Sequence, residues 1–338
     1  MTRFAPLFAL SATLATGCFF ANADEETAFV EADDVRIDLP ESIAAREGGQ
    51  VRGLLHLGVE STAGHVNRWV TMLVEHCARV IAYLDDVQPS AREGNTRIYG
   101  PYDDNDGRDL AWLVRVESIE DGANYQIYVG GRGAADQGAM ALLMKGDLHK
   151  DGSKRSGGFE LDFDVVEKHP EMKGPDADMS VVGGFVAVTF ERDVETEQKR
   201  IDLDFQAASF EYLGWLDDDV FYSDDKYSYT RDAEGGGSFD LTLYGEWDDY
   251  GWSGPEREKA SVQAAWDAAG NGRARGSILE VDGVGDMKHG DLFLDECQGA
   301  DGFLTWRALN EPYALEAPGY GFGDPKSCEI EESALDGL

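Results

Sequence analysis

The chain has 338 residues, and its 66 aspartates and glutamates against 29 lysines and arginines give a formal net charge of -37. Such a charge is repelled by phosphate backbones and anionic lipid surfaces, which argues against nucleic-acid binding. The length is sufficient for one large β domain or two ordinary domains with a substantial core. Abundant carboxylates by themselves indicate a solvated acidic surface rather than a cation site.

The first 23 residues have the pattern of an export signal. Arg3 is the only charged residue before Asp24, and the residues from Pro6 to Phe20 are apolar or small. This apolar stretch suits the short core of a signal peptide better than a membrane-spanning helix. We therefore expect the protein to leave the cytoplasm.

Two cleavage positions fit this signal. Gly17-Cys18 resembles a bacterial lipobox, in which the cysteine sulfur receives diacylglycerol and becomes the new N-terminus, although Ala15 stands where leucine is commonest. Cleavage before Cys18 predicts a lipid-anchored protein of the cell envelope, in the outer membrane. Cleavage after Ala23 by the ordinary signal peptidase predicts a periplasmic or secreted protein instead.

The other three cysteines are Cys77, Cys297 and Cys328. Cys77 lies on an apolar helix face, where a free thiol behaves as a small hydrophobic residue. Cys297 and Cys328 form a candidate disulfide for an oxidising compartment, and it would close a loop of about 30 residues worth about 3 kcal/mol. Spacing alone does not establish the bond, because pairing depends on how close the Cα atoms come. No Cys-x-x-Cys motif indicates zinc.

Composition and periodicity divide the mature chain into three parts. Residues 24–50 are acidic and lack a clear period, which is typical of a leader or tether. Residues 51–315 carry a helical pattern followed by strand patterns, and we expect them to form a single domain. Residues 316–338 form a C-terminal tail.

The strongest helical pattern runs from about Ser61 to Leu84. Ser61 or Thr62 is the expected N-cap, and Asp85-Asp86 followed by Pro89 marks the end. Apolar residues recur at spacings of three and four and form one stripe, so the helix must pack against a wide apolar surface. The stripe consists of Val66, Trp69, Val70, Leu73, Cys77, Val80, Ile81 and Leu84.

From Arg97 onward the period of the apolar residues changes to two. Apolar residues from Phe159 to Val165, for example, alternate with acidic ones, as a half-buried antiparallel strand requires. Asn271-Gly272 is the strongest hairpin signal and predicts a two-residue type I′ turn. Further strands are predicted at Leu110–Val116, Tyr125–Val129, Met140–Leu148, Phe185–Glu191, Ile201–Phe205, Lys226–Arg231, Phe239–Leu243, Ser261–Trp266, Arg273–Val281, Leu292–Cys297 and Phe303–Arg307.

About a dozen strands joined by short turns predict a mainly β fold with one long helix. One face of such a sheet lies in water and the other lies on the core. We expect a large antiparallel sheet, strongly curved or forming an incomplete barrel, that packs around the helix.

Candidate catalytic and metal-binding residues are few. His65 and His76 are about three helical turns apart and cannot hold one metal ion together. The acidic segment from Asp103 to Asp109 contains three candidate calcium ligands, Asp103, Asn105 and Asp109, but the EF-hand register is missing, which favours a polar hairpin loop. No nucleophile elbow, phosphate-binding loop or zinc-protease motif occurs. We predict no catalytic residue, no cofactor and no metal.

Two short pieces of the chain, Trp266 to Ala274 and Glu296-Cys297, resemble a group of uncharacterised bacterial cell-envelope lipoproteins. In that group a lipobox signal precedes a helix and a long β-meander, and a Gly-Pro-aromatic element like Tyr99 to Tyr102 opens the sheet. The resemblance implies no particular activity. The helix-in-sheet layout also resembles, at the level of fold alone, the carrier proteins that shuttle lipoproteins to the outer membrane.

Three functional hypotheses follow from the sequence. The first is a non-catalytic, exported and lipid-anchored protein whose curved sheet holds an apolar ligand or a segment of an envelope protein. The second is a secreted hydrolase with two carboxylates about 5 to 9.5 Å apart, one with a raised pKa. The third is a calcium-dependent binding module.

Overall fold

The structure, a computed structural model, describes most of the chain, and all structural statements below concern the described residues. The described residues are 30–40, 52–60, 62–64, 66–67, 87–104, 107–172, 179–212, 220–223, 226–245, 257–282, 292–309 and 321–336.

The described strands form one antiparallel sheet, which confirms the predicted fold class. Its order follows the chain from β1 to β16, except that β9 pairs with β8 beside β10, and the sheet is not closed into a barrel. Apart from β10, each strand pairs with the one before it, as antiparallel strands joined by short connections do. The strands are β1 Ala91–Glu93, β2 Thr96–Asp103, β3 Leu110–Ile119, β4 Gly122–Gly131, β5 Ala141–Asp151, β6 Lys154–Asp162, β7 Met179–Asp193, β8 Lys199–Tyr212, β9 Val220–Ser223, β10 Lys226–Arg231, β11 Gly237–Gly245, β12 Arg257–Trp266, β13 Gly272–Asp282, β14 Leu292–Gln298, β15 Leu304–Leu309 and β16 Phe322–Gly323.

Helices make up a small part of the described chain. They are α1 (Ala32–Val35), α2 (residues 54–60, 62–64 and 66–67) and α3 (Phe163–Lys168). Residues 68–86 of the predicted helix lie outside the described residues. Among the described helices, none is long and apolar enough to cross a membrane.

The strand predicted from Phe159 to Val165 is wrong at its end. β6 stops at Asp162, whose Oδ1 accepts a hydrogen bond of 3.3 Å from the backbone N–H of Val165. This aspartate caps α3, in which Phe163, Val165 and Val166 are buried. The capping carboxylate and the burial of one helix face thus favour a helix after Asp162, although the apolar residues there alternate as in a strand.

The predicted two-residue turn at Asn271-Gly272 is also wrong, although the hairpin exists. β12 ends at Trp266 and β13 begins at Gly272, so residues 267–271 form a longer loop. The side chain of Asp267 accepts a hydrogen bond of 3.0 Å from the backbone N–H of Asn271, and Gly270 has a φ of 90°. The aspartate side chain therefore organises the turn, with a glycine at its left-handed position.

One face of the sheet, here called the inner face, carries the main core. On β8 the residues Ile201, Leu203 and Phe205 are buried, while Asp202 and Asp204 point to the other, outer face. The inner-face residues from β2 to β14 belong to one apolar cluster, which confirms the predicted alternation. Four residues of α2 join the same cluster at spacings of three or four, namely Leu55, Val59, Ala63 and Val66.

Residues 30–38, predicted to belong to a leader or tether, pack on the inner face as a strap. Val30, Val35 and Ile37 are buried in the main cluster. The backbone N–H of Ile37 donates to Asn67 Oδ1 at 2.6 Å, and Asn67 Nδ2 donates to the Ile37 carbonyl at 2.7 Å. The apolar residues of the segment and this amide pair join the strap to α2.

Ion pairs hold the strap to three neighbouring strands. Asp34, which is fully buried, accepts two short hydrogen bonds from Arg155, at 2.9 Å from Nε and 2.7 Å from Nη2. Arg192 lies opposite Arg155 on the next strand, 3.7 Å from Asp34. Lys199, opposite Arg192, donates to Asp38 at 2.9 Å. These cations would repel one another, so the acidic strap neutralises them.

The start of α2 depends on a carboxylate from the far end of the sheet. Glu296 on β14 accepts hydrogen bonds from the backbone N–H groups of Leu54, Leu55 and His56, at 2.9, 2.7 and 3.1 Å. A helix N-terminus leaves such N–H groups without partners and favours negative charge. The start predicted at Ser61 is wrong, because residues 54–60 are already helical.

The surroundings of Glu296 keep it ionised. Burial raises the pKa of Glu296, but the hydrogen bond from His56 and the charges of His56 and Arg307 outweigh this effect, so the pKa lies below its ordinary value. The approach of helix and carboxylate requires Gly53, because a Cβ there would lie 2.4 Å from Glu296 Oε1. His56, close to this glycine in the sequence, is a buried helical residue.

We expect Asp34→Asn to lower the free energy of unfolding by about 3 kcal/mol, the lower end of the range for a broken buried ion pair. Arg155 then loses its buried charge partner and keeps the more exposed Glu31, 3.1 Å away. Asp33→Asn is the matched control, since the neighbouring Asp33 is exposed, and its effect should stay within about 0.5 kcal/mol. Urea unfolding of both variants measures the difference. Equal effects would show that the charge of Asp34 contributes nothing to stability.

We also expect Glu296→Gln to destabilise the protein at neutral pH by about 3 to 5 kcal/mol, because Arg307 stays buried without a counter-charge. Since the folded-state pKa of Glu296 is lowered, its contribution is present above the ordinary value of 4.5 and is lost as the pH falls through the folded-state pKa. Unfolding curves at several pH values should therefore show the variant and the native protein converging in acid. Glu160→Gln, which alters an exposed pair with Lys145, should change little.

Candidate functional site

The inner face, predicted to hold an apolar ligand, is covered by the chain itself where α2 and the strap lie on it. Residues of α2 and the strap share one buried cluster with the strands of that face. These contacts fill space that a ligand or partner segment was predicted to occupy. The candidate site therefore has to be sought on the outer face.

A groove of about 560 Å³ crosses the outer face of β2 to β7. This volume lies within the range of small-molecule sites, although the lining is far more polar than usual. The groove is lined by outward-facing residues of six neighbouring strands. They are Thr96, Arg115, Glu117, Asn124, Gln126, Lys145, Asp147, Gly158, Glu160, Ala187 and Thr189.

The groove runs across the strands rather than along them. Six of its residues lie directly opposite one another on successive strands, so they form one straight row about 24 Å long at the usual strand spacing. The row consists of Thr96, Glu117, Asn124, Asp147, Gly158 and Thr189. Sequence alternation places each of them on the outer face but does not show that they are neighbours.

Small residues make the floor of the groove. Gly158 on β6 and Ala187 on β7 leave the sheet backbone uncovered by long side chains. A Cβ at position 158 would lie 2.6 Å from the carbonyl oxygen of Val188. Glycine is therefore required by the close approach of β7, and the depression follows from that requirement.

The basic side chains along the groove have acidic partners of their own. Lys145 and Glu160 form an ion pair of 2.8 Å. Arg115 contacts Glu93 at 3.0 Å and donates to Gln137 at 3.2 Å. These contacts neutralise both cations and hold them at the sides of the groove.

Two amides in the groove are oriented by hydrogen bonds. Asn124 Nδ2 donates to Glu117 at 3.1 Å, which leaves its Oδ1 as an acceptor. Tyr128 donates from its hydroxyl to Gln126 Oε1 at 3.1 Å, which leaves the amide N–H groups of Gln126 as donors. The groove thus presents neutral donors and acceptors side by side.

A second, smaller apolar cluster fixes one side of the groove. Ile98, Leu113 and Tyr128 are buried on the outer face, with Met140 and Leu142 packed against them. This burial explains three apolar residues on a face that is otherwise polar. It also fixes the ring of the tyrosine that orients Gln126.

The polar row continues beyond β7 and contains two carboxylates in contrasting surroundings. Thr189 pairs with Asp202, and Ser228 on β10 lies between Asp202 and Asp240 on β11. The two aspartates are two strand spacings apart, or about 10 Å between Cα atoms. The hydroxyl of Ser228 donates to Asp202 at 2.6 Å.

These contacts separate the pKa values of the two aspartates. Burial raises the pKa of Asp202, but hydrogen bonds from Arg200 and Ser228 outweigh it and lower the pKa overall. Burial also raises the pKa of Asp240, and hydrogen bonds from Ser261 and Gln263 offset only part of the rise. Two carboxyls whose surroundings shift their pKa values in opposite directions are the arrangement used in general acid–base chemistry.

The disulfide predicted between Cys297 and Cys328 is confirmed, with sulfurs 2.03 Å apart and Cα atoms 5.5 Å apart. It joins β14 to the described residues 321–336 of the predicted C-terminal tail. Arg275 strengthens the same attachment through a contact of 2.5 Å with Glu332. This part of the tail therefore lies on the sheet.

Several predicted site residues lie outside the described residues. They are the lipid-attachment candidate Cys18, the free thiol candidate Cys77, and the two helix histidines, His65 and His76.

The acidic segment from Asp103 to Asp109 joins β2 to β3, as the predicted hairpin loop requires. Asp103 accepts a hydrogen bond of 2.8 Å from the backbone N–H of Gly133. Asp104 is buried and accepts from Arg108 at 2.6 Å and from Trp112 Nε1 at 3.0 Å. Within the described part of the chain, no group of three or more His, Cys, Asp or Glu residues is placed to hold a metal ion.

The chain matches no protein-family model, no curated protein and no solved structure. The resemblance to envelope lipoproteins therefore stays a prediction, and function has to be argued from the site itself.

Proposed function

We propose that this chain is an exported, non-catalytic binding protein of the bacterial cell envelope, anchored by a lipid at Cys18, and that the outer-face groove is its binding surface. The observation that carries the binding proposal is the groove. Its floor is kept low by Gly158 and its amides are held in place by neighbouring side chains. Side chains oriented in this way bind a ligand at a smaller cost in conformational entropy.

The proposed location is supported by two features. The N-terminal 23 residues have the pattern of a signal peptide, with a lipobox-like cysteine at position 18. The Cys297–Cys328 disulfide suits an oxidising compartment outside the cytoplasm. The diacylglycerol at Cys18 would supply two acyl chains, which suffices for stable anchoring, whereas one acyl chain alone gives only marginal membrane binding.

Intact-mass analysis of the protein isolated from its native membrane tests this proposal. We expect a mature chain that begins at a diacylglycerol-modified Cys18 and lacks the hydrogens of the Cys297 and Cys328 thiols. Cys18→Ala should remove the lipid mass and release the protein from washed membranes. A native protein that begins at Asp24 would contradict the lipid anchor, and one that retains residues 1–23 and free thiols would contradict export.

A second candidate function is hydrolysis by paired carboxylates, which the contrast between Asp202 and Asp240 favours. Asp240 would act as the general acid, because burial raises its pKa, and Asp202, whose pKa is lowered, would act as the ionised partner. Their spacing of about 10 Å between Cα atoms leaves room for a water molecule, as in inverting glycosidases.

Assays of the native protein on a panel of neutral glycosides separate the two candidate functions. A binding protein should release no product. A hydrolase should lose turnover by a factor of about 100 or more in Asp240→Asn and in Asp202→Asn, while Asp204→Asn, on the same face of β8, should retain it. Turnover that is equal in all three variants would rule out these aspartates as the catalytic pair.

A further inference from the structure

We infer that the outer-face groove binds a neutral, polyhydroxylated ligand, of the class of a short oligosaccharide. The inference rests on the proposed binding function and names the ligand chemistry of the same groove. It is carried by the shape of the groove, the balance of its charges, and the kind of hydrogen-bonding groups it presents.

Shape favours a ligand of several linked rings. The groove holds about 560 Å³ and follows a straight row of outward residues from Thr96 on β2 to Thr189 on β7. It is open along its length because Gly158 and Ala187 leave the floor low. An elongated ligand can therefore lie across the strands with one side exposed to water.

Charge disfavours an anionic ligand. The net charge of -37 repels anions over the whole surface. Within the groove, the ammonium of Lys145 is paired with Glu160 and the guanidinium of Arg115 is paired with Glu93, so neither cation lacks a counter-charge. An anionic ligand would have to displace these carboxylates to reach a cation. A neutral ligand keeps both pairs intact.

The polar side chains of the groove offer the hydrogen-bond donors and acceptors that ligand hydroxyl groups require. Gln126 offers amide donors, Asn124 offers an amide acceptor, and Thr96 and Thr189 offer hydroxyls that both donate and accept. A sugar hydroxyl also donates and accepts, so it can bond to an amide and a hydroxyl at once. A ligand with several adjacent hydroxyls is therefore satisfied along the whole row.

A peptide strand fits this surface less well. Extended peptides bind sheets by adding to an edge, where backbone N–H and C=O groups are unpaired. The groove lies on the face of β2 to β7, and the residues of these strands that line it are paired with a neighbouring strand on both sides. Main-chain recognition is thus blocked, and only side-chain contacts remain for a ligand.

The full-length, disulfide-bonded protein should be titrated with three neutral trisaccharides, maltotriose, cellotriose and N-acetylchitotriose, by isothermal calorimetry and by NMR. We expect at least one of them to bind with a Kd of about 1 mM or tighter and to shift the side-chain amide signals of Asn124 and Gln126. The lysine oligomer hexalysine and a sulfated trisaccharide serve as charged probes, and we expect both to bind more weakly.

Thr189→Leu removes a hydroxyl and intrudes on the groove, so we expect it to weaken trisaccharide binding at least tenfold. Thr242→Leu is the matched control, because Thr242 lies on the same outer face, on β11 outside the groove. Unchanged thermal melting of both variants establishes that they fold. Gln126→Leu, which removes the oriented amide, is a second variant that should lose binding in the same way.

Four outcomes would overturn the inference: no binding of any trisaccharide, equal binding in Thr189→Leu and Thr242→Leu, amide shifts that spare Asn124 and Gln126, or a preference for either charged probe. None of these affects the proposed location, which the intact-mass experiment tests separately. Cleavage of a bound trisaccharide would contradict the non-catalytic part of the proposed function while retaining the groove as a sugar site.

Discussion

The structure depends on covering one face of an open sheet. An antiparallel sheet whose strands alternate between apolar and polar residues buries only one side, and here the N-terminal strap and α2 cover much of it. Both segments are held by buried carboxylates, Asp34 among the cations of β6 to β8 and Glu296 at the start of α2. Burying a carboxylate is costly unless it is paired and hydrogen-bonded. The two acids therefore specify where each segment docks as well as adding stability.

Because the chain covers its own inner face, the outer face is the part left for function. A highly acidic protein presents a solvated surface over most of that face, and a groove appears only where small residues interrupt the long polar side chains. Gly158 serves two needs at once, since the close approach of β7 excludes a Cβ and the missing side chain opens the depression. The ion pairs beside it neutralise Lys145 and Arg115, the two cations of the groove. The low floor and the paired cations make the groove different in character from the surrounding surface.

The disulfide and the strap place the two ends of the described chain on the sheet. Cys297 and Cys328 attach the C-terminal residues to β14, and residues 30–38 attach the N-terminal side to β6 through β8. A proposed lipid at Cys18 would then lie only 12 residues from the first described residue, Val30. At about 3.3 to 3.6 Å per residue, such a connection reaches at most about 40 Å. The groove of an anchored protein would accordingly stay close to the membrane surface.

Local patterns in the sequence were enough to determine the fold class and the position of most strands. They made Cys297 and Cys328 a candidate pair, and only the Cα distance of 5.5 Å in the structure established the bond. Alternation between apolar and acidic residues reports which face a side chain occupies, and this property is local. What depended on distant residues could not be predicted in this way. Glu296 moved the start of α2 away from Ser61, and the strap was mistaken for a tether because its partners Arg155 and Lys199 are more than a hundred residues away. Asp162 ended β6 early for a local reason, because its side chain caps the helix that follows. The groove depends on distant residues too. Only the register of the paired strands aligned Asn124, Gly158 and Thr189 in one row, because register is set by contacts between strands and not within them.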